Sequence, residues 1–120
     1  MKLSFSTRGW SECGWEDFLA AAKATGYSGV ELHGVAHSAW SEEGAPFSRA
    51  NASRTVRRLF DEGLCISCVD SVCDVSSADA ADDAELTATI QLAHDFSIPY
   101  VRVRALDGSE AGIQAAFERM

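Results

Sequence analysis

The sequence contains little proline, no long apolar run and no segment like a secretory signal, and each shortage excludes a class of protein. Only two of the 120 residues are proline and 47% are hydrophobic, which is enough to bury a core and argues against disorder. No run approaches the roughly 20 apolar residues needed to cross a bilayer. The N-terminal residues also lack the apolar segment of a signal peptide. We therefore expect residues 1–120 to belong to one globular domain in the cytoplasm, with no membrane partner.

Positive charge is scarce as well. The 18 acidic residues outnumber the 10 basic ones, and the net charge is -8. A phosphate backbone repels a surface of this kind, and no basic stripe interrupts it. We therefore expect no nucleic-acid partner.

The four cysteines are Cys13, Cys65, Cys68 and Cys73, and the spacing of Cys65 and Cys68 invites a redox or zinc interpretation. Both lie in an apolar segment that is typical of a buried strand. Residues three apart on a regular strand point to opposite faces, so the two sulfurs are not expected to converge. We interpret the cysteines as small buried hydrophobic residues, not as a disulfide framework.

Strand and helix spacings alternate along the chain. Apolar residues at every second position predict strands, and those at i, i+3, i+4 and i+7 predict helices. The predicted strands cover residues 2–6, 29–32, 64–69 and 100–104. The predicted helices cover residues 15–25, 51–62 and 79–96, and a fourth follows a cap at 108–109. The order βαβαβαβα indicates a parallel sheet with right-handed crossovers.

The last three helices carry apolar stripes that we expect to pack under the sheet. The stripe of the second helix is Ala52, Val56, Leu59 and Phe60. The third has Leu86, Ile90 and Ala93, and the fourth has Ile113, Ala116, Phe117 and Met120. The fourth stripe continues to the last residue of the sequence.

Two architectures accept this order of elements: a complete open sheet of the flavodoxin type, or half of a TIM barrel of about 250 residues. Strands covered by helices on both faces are near-continuous apolar runs, whereas three of these strands alternate. Their polar positions are Ser4, Ser6, Glu31, His33, Arg102 and Arg104. A barrel interior near its mouth accepts such residues, but burial under helices is costly where they are unpaired. We therefore predict an α/β fold of the (β/α)8 TIM-barrel type, of which this chain covers about the first four βα units as a half-barrel.

Five segments occur in an order and at spacings that carry a family resemblance. They are KLSFST (2–7), TGYSGVEL (25–32), PFS (46–48), ISCVDS (66–71) and PYVRV (99–103). Together they resemble the sugar phosphate isomerase/epimerase family, xylose isomerase-like TIM barrels related to the endonuclease IV group (AP endonuclease family 2). The resemblance extends over nearly all of this chain, which would be the N-terminal half of a family member.

That resemblance implies a sugar or sugar phosphate as substrate and a divalent metal, Mn, Mg, Co or Zn, as cofactor. The family holds its metal with two glutamates, an aspartate and a histidine on later strands. None of those motifs has a matching position here, so we assign no metal ligand and no catalytic residue within this sequence. A further departure is His33, where many relatives carry an arginine after the second strand.

Substrate contacts are expected at the C-terminal ends of the strands, where TIM barrels place their active sites. Arginine suits this role because its guanidinium group donates two parallel hydrogen bonds to a phosphate or carboxylate. Glu31 and Arg102 also fall where one barrel layer pairs them, and we favour that structural role; for Arg104 the two roles stay open. The predicted substrate-binding residues are Arg8, Glu31, His33, Trp40, Arg102 and Arg104.

The connection over residues 33–49 is long for a strand-to-helix loop and predicts a functional loop or lid. Trp40 within it either covers a sugar ring or anchors the lid. His33 and His37 have a spacing that binds metal on a helix, but in a loop we favour solvated histidines. Asp70, just past the third predicted strand, is expected to cap a turn in preference to reaching the pocket.

Two functions are consistent with these expectations. The first is the N-terminal part of a metal-dependent sugar or sugar-phosphate isomerase or epimerase, which contributes pocket wall and lid and pairs with a C-terminal half. The second is a non-catalytic half-barrel that forms a homodimer or acts as an interaction module, since its sheet edge is free to pair.

Overall fold

Four parallel strands form one sheet in the computed structural model, which describes residues 1–10, 12–77 and 79–120 without the side chain of His37. The strands are β1 (Ser4–Ser6), β2 (Gly29–His33), β3 (Cys65–Asp74) and β4 (Val101–Arg104). Their spatial order is the same as their order in the chain. A flavodoxin-like sheet would place its second strand outside the first. The predicted half-barrel is therefore confirmed.

A helix follows each strand: α1 (Trp15–Ala24), α2 (Ala52–Asp61), α3 (Ala80–Asp95) and α4 (Glu110–Arg119). Two of them begin at side-chain caps, where Asp79 accepts from the Ala81 amide and Ser109 accepts from the Gly112 amide. The predicted order is correct, but β3 ends at Asp74 and not at residue 69. No helix in the described ranges is long and apolar enough to span a membrane.

The main core lies between the first three helices and one face of the sheet. Val30 and Leu32 of β2 and Val69 of β3 are at most 1% exposed. They pack with Phe18 of α1 and Leu59 of α2. A smaller cluster under α4 contains Cys73, Val75 and Ala116. Because right-handed crossovers in one direction place the helices on one side, the other face of the sheet holds the polar residues.

Two of the predicted helix stripes are wrong in detail. Phe60 is 78% exposed and Ile90 is 51% exposed, while Thr55 and Thr89 are buried in their place. On α3 the buried positions are Glu85, Thr89 and Ala93, an i, i+4, i+8 series. Polar residues are tolerated there because Glu85 accepts hydrogen bonds from the hydroxyls of Ser71 and Thr89, both at 3.2 Å.

The predicted stripe of α4 is also mostly uncovered. Ala116 is buried as expected, but Ile113, Phe117 and Met120 are 48%, 69% and 72% exposed. These three residues, the exposed stripe of α4, lie at i, i+4 and i+7. The described residues leave about half or more of each of these side chains exposed.

An irregularity in β3 overturns the expectation for the cysteines. The register with β2 shifts by one residue between Val30 and Glu31, so that Glu31 lies opposite Cys68. A bulge of this kind inserts an extra residue, here Ser67, and brings positions three apart to the same face. Cys65 and Cys68 therefore both lie on the polar face, as free thiols. Cys65 is exposed and Cys68 half-buried, so only Cys73 is the buried residue expected.

Gly29 allows the three strands to approach closely at their N-terminal ends. A Cβ atom at this position would lie 2.9 Å from Ser4 Oγ and 3.0 Å from the carbonyl oxygen of Cys65. Distances this short require a residue without a side chain. The close approach allows Ser4 to donate to Ser67 across the polar face at 2.7 Å.

Candidate functional site

A cleft of about 380 Å³ opens at the C-terminal ends of β1 and β2. Its walls include Thr7 and Arg8 after β1, His33 at the end of β2, and Trp40 from the loop that follows. The size lies at the lower end of the range for small-molecule sites. TIM barrels bind their substrates at this edge of the sheet, so the cleft is the first candidate site.

The long loop forms one wall of the cleft and is ordered by short 3-10 turns, Val35–His37 and Ala39–Ser41. Gly34 starts the loop with φ of 55°, a left-handed conformation that favours glycine. Trp40 is buried, and its ring packs against Trp15 with centroids 5.2 Å apart. Of the two roles predicted for Trp40, anchoring of the loop is therefore present in the structure, and the same residue also lines the cleft.

Beside the cleft, four charged or titratable side chains on the polar face form a connected cluster: Glu31, His33, Asp70 and Arg102. Arg102 Nη2 donates to Glu31 Oε2, and Arg102 Nη1 lies 3.6 Å from Asp70 Oδ2. Glu31 also accepts from Ser6 Oγ at 3.1 Å. The pairing of Glu31 with Arg102 is the structural role favoured from sequence, while substrate binding by either residue stays a prediction.

His33 is held in the cluster through both its backbone and its ring. Its amide donates to Thr7 Oγ1 at 2.8 Å, and its Nδ1 lies 2.6 Å from Asp70 Oδ2. The Asp70 side chain is only 4% exposed, and that of His33 is 23% exposed. Because Asp70 is a residue of β3, the expected turn cap at this position is wrong. The longer strand directs its carboxylate into the cluster.

The bulge in β3 accounts for this role of Asp70, which was not favoured from sequence. With Ser67 as an extra bulged residue, Cys68 and Asp70 continue the polar face of β3. Asp70 is then in register with both His33 and Arg102. Because the bulge depends on pairing between strands, the apolar pattern by itself predicts a third strand that ends at Val69.

Arg8 and Arg104 occupy different surroundings. Arg8 is exposed and lines the cleft. Arg104 ends β4 in register with Asp74 and is not among the cleft walls. Its Nε is buried and has no hydrogen-bond partner in the described ranges. The structure thus brings five of the six predicted residues together around the cleft and its cluster, and it leaves Arg104 apart.

The thiol of Cys68 faces the same cluster. Burial raises the pKa of this thiol, and the nearby carboxylate of Glu31 raises it further. A thiol with a raised pKa is a poor nucleophile and a poor metal ligand at neutral pH. We therefore expect Cys68 to react more slowly than an exposed thiol.

The donor set of the cluster does not fit a divalent metal. Arg102 is within ion-pair distance of both Glu31 and Asp70, so a metal there would compete with a fixed positive charge. Among the described residues no three His, Cys, Asp or Glu side chains are grouped so as to hold a metal ion. The side chain of His37, the other histidine with a metal-like spacing, lies outside the described residues.

No family model matches this sequence, and no curated protein matches it. Among solved structures it is similar to the crystal structure of AsbF from Bacillus anthracis, a probable 3-DHS dehydratase involved in petrobactin synthesis. The two share 22% identity with a TM-score of 0.74, over 99% of this chain and 45% of that one. This chain therefore spans less than half the length of that structure. The likeness supports the fold described above, that of about half a TIM barrel.

Proposed function

We propose that the chain forms the first four βα units of a metal-dependent, cytoplasmic enzyme that isomerises or epimerises a sugar or sugar phosphate. It contributes the pocket wall and the lid, and side chains outside residues 1–120 hold the divalent metal. The observation that carries the proposal is the cluster of Glu31, His33, Asp70 and Arg102 beside a cleft at the C-terminal ends of parallel strands.

The chemistry of the site supports a polyhydroxylated substrate. Sugars need both hydrogen-bond donors and acceptors, and the cluster offers carboxylates and a guanidinium group. The Arg102 side chain is 51% exposed, so its remaining N–H groups face solvent at the mouth of the half-barrel. Trp40 and Val72 add an apolar wall to the neighbouring cleft. The similarity to a probable 3-DHS dehydratase adds dehydration to the reactions worth testing.

A binding experiment tests this proposal on residues 1–120 themselves. The ¹⁵N-labelled chain is titrated with xylose, gluconate and glucose 6-phosphate, and the amide shifts are followed. We expect shifts at Gly9, Gly34 and Ala39 around the cleft and none at Arg57, which is exposed on α2. If all three compounds leave the cleft amides unchanged, the proposal is wrong.

A turnover assay tests where the metal is held. With Mn²⁺ added, residues 1–120 should bind sugar without converting it, because the described residues do not form a metal site. Turnover that disappears on addition of a chelator would contradict the placement of the metal outside this chain.

A second candidate function, a self-associating half-barrel, is favoured by the exposed stripe of α4, Ile113, Phe117 and Met120. Both β1 and β4 are sheet edges with unpaired backbone groups. Two copies together would supply eight strands, the number in a closed TIM barrel. In this alternative the half-barrel interface is the function, and no substrate is required.

Light scattering after size-exclusion chromatography separates the two candidates. A self-associating half-barrel gives a discrete dimer, and Phe117→Glu shifts it to a monomer. Ile90→Glu is the matched control, because Ile90 is also an exposed apolar residue but lies on α3. A wild-type monomer, or a dimer unaffected by Phe117→Glu, would rule out this second function.

A further inference from the structure

The carboxylates of the cluster beside the cleft outnumber its guanidinium group. Glu31 and Asp70 carry two negative charges, and Arg102 supplies one positive charge within reach of both. A proton on His33 brings the sum to zero, while a neutral His33 leaves it at -1. The Glu31 and Asp70 side chains are only 15% and 4% exposed, so water screens this charge poorly. The His33 ring therefore belongs to a connected cluster with two poorly screened carboxylates and one guanidinium group.

His33 is held through one ring nitrogen and is a wall residue of the cleft. Asp70 engages Nδ1, and His33 is among the residues that line the cleft. Within the described part of the chain, Nε2 has no hydrogen-bond partner. A ring held through Nδ1 in this way presents Nε2 to whatever the cleft contains.

Arg8 places a second positive charge on the same cleft. Its side chain is exposed and lines the cleft, and no described carboxylate lies within ion-pair distance of it. The chain has 18 acidic residues and a net charge of -8. An arginine without an acidic neighbour in such a chain is available to bind an anionic ligand. The guanidinium group is suited to two acceptor oxygens of one anion.

We propose that the cleft binds the anionic group of the substrate, a carboxylate or a phosphate, between the Arg8 guanidinium group and Nε2–H of His33. The inference rests on the proposed function, because it narrows the substrate of the same site to an anionic sugar or sugar acid. Asp70 acts as a positioning residue that holds Nδ1. Trp40 and Val72 provide the apolar wall against which the uncharged carbon skeleton lies.

Sulfate is the direct probe, because it carries a double negative charge at pH 6. The ¹⁵N-labelled chain is titrated with sodium sulfate at pH 6, with ionic strength held constant. We expect shifts at Gly9 and Gly34. Arg8→Gln and His33→Gln should each weaken sulfate binding about tenfold, the loss of one charge-assisted hydrogen bond.

Two further variants, Arg8→Lys and Arg57→Gln, are controls for the effect of Arg8→Gln on sulfate binding. Arg8 is exposed, so Arg8→Gln is not expected to disturb folding, and Arg8→Lys should restore part of the affinity by restoring charge. Arg57→Gln removes an exposed arginine outside the cleft and should leave sulfate binding unchanged. Equal binding by Arg8→Gln and the wild type, or equal loss in Arg57→Gln, would overturn the inference.

The sugar probes separate this inference from the proposed function. Tighter binding of gluconate and glucose 6-phosphate than of xylose supports both, and the tighter of the two anions distinguishes carboxylate from phosphate. If xylose shifts the cleft amides and sulfate does not, the anion site is wrong while the proposed function stands. If sulfate binds and none of the three sugar compounds does, the proposed function fails and the anion site remains.

Discussion

The carboxylate of Asp70 lies 2.6 Å from Nδ1 of His33, although the two residues are on different strands and 37 positions apart. This contact joins the cluster on the polar face to the cleft. It exists because β2 and β3 are parallel neighbours whose paired positions include these two residues. The same register brings Arg102 to Asp70 from β4.

Asp70→Asn tests how much the contact between Asp70 and His33 contributes to the stability of the fold. The substitution preserves the size of the side chain but removes a charge that is almost fully buried. We expect the free energy of unfolding to fall by about 2 kcal/mol, the value of a hydrogen bond to a charged group, as measured by urea denaturation. Asp61→Asn, at an exposed position on α2, is the control and should change it by less than about 0.5 kcal/mol. Equal effects would show that the contact adds no stability.

The pairing of Glu31 with Arg102 is tested by a double-mutant cycle. Glu31→Gln and Arg102→Gln should show a coupling free energy of about 1 kcal/mol, because the arginine is half-exposed and water screens the pair. The coupling should decrease at about 1 M salt, where the screening length falls to about 3 Å. Additive effects at low salt would mean that the two side chains do not interact in solution.

The adjacent residues Leu59 and Phe60 test which face of α2 is buried. Leu59 is 1% exposed and Phe60 is 78% exposed. Leu59→Ala should therefore reduce the free energy of unfolding by about 2–5 kcal/mol, and Phe60→Ala by about 0.5 kcal/mol or less. Thermal unfolding followed by circular dichroism measures both. Similar losses in the two variants would favour the sequence-predicted stripe, which places both residues on the buried face.

The ion-pair network around Arg58 gives a pH prediction. Arg58 donates to Glu16 and to Glu62, and these hydrogen bonds lower the pKa of each carboxylate from its ordinary value of 4.5. A lowered folded pKa contributes stability above the unfolded value, which is lost as the pH falls through the folded value. Arg58→Gln should thus lower the urea midpoint at pH 7, with a difference that shrinks below about pH 4. Arg57→Gln, the neighbouring control, should not show this dependence.

The four thiols should differ in their reaction with iodoacetamide. Cys13 and Cys65 are exposed and should be alkylated first. Burial raises the pKa of Cys68 and of Cys73, with the charges of Glu31 and Asp82 adding to the effect. Both therefore hold less thiolate at pH 8 and should react more slowly. Mass spectrometry of the alkylated peptides gives the order, and an unfolded sample should react uniformly.

The site could be anticipated from sequence only in part. The alternation on β2 and β4 placed Glu31, His33 and Arg102 on one face, and the structure has them there. Asp70 could not be assigned to that face, because the bulge at Ser67 reverses which residues of β3 point inward. A bulge depends on how one strand pairs with another, so its position could not be assigned from one strand by itself.

The sequence by itself determined the order of four strands and four helices, the polar face of the sheet and the choice of a half-barrel. These properties follow from local periodicity and chain connectivity. The tertiary structure decided which positions of α2 and α3 are buried, the register of β3, and the approach of Asp70 to His33. Each of these depends on how far one element is rotated or shifted against another. That relation is set by packing between residues distant in the chain, where a one-residue shift exchanges the faces of a strand.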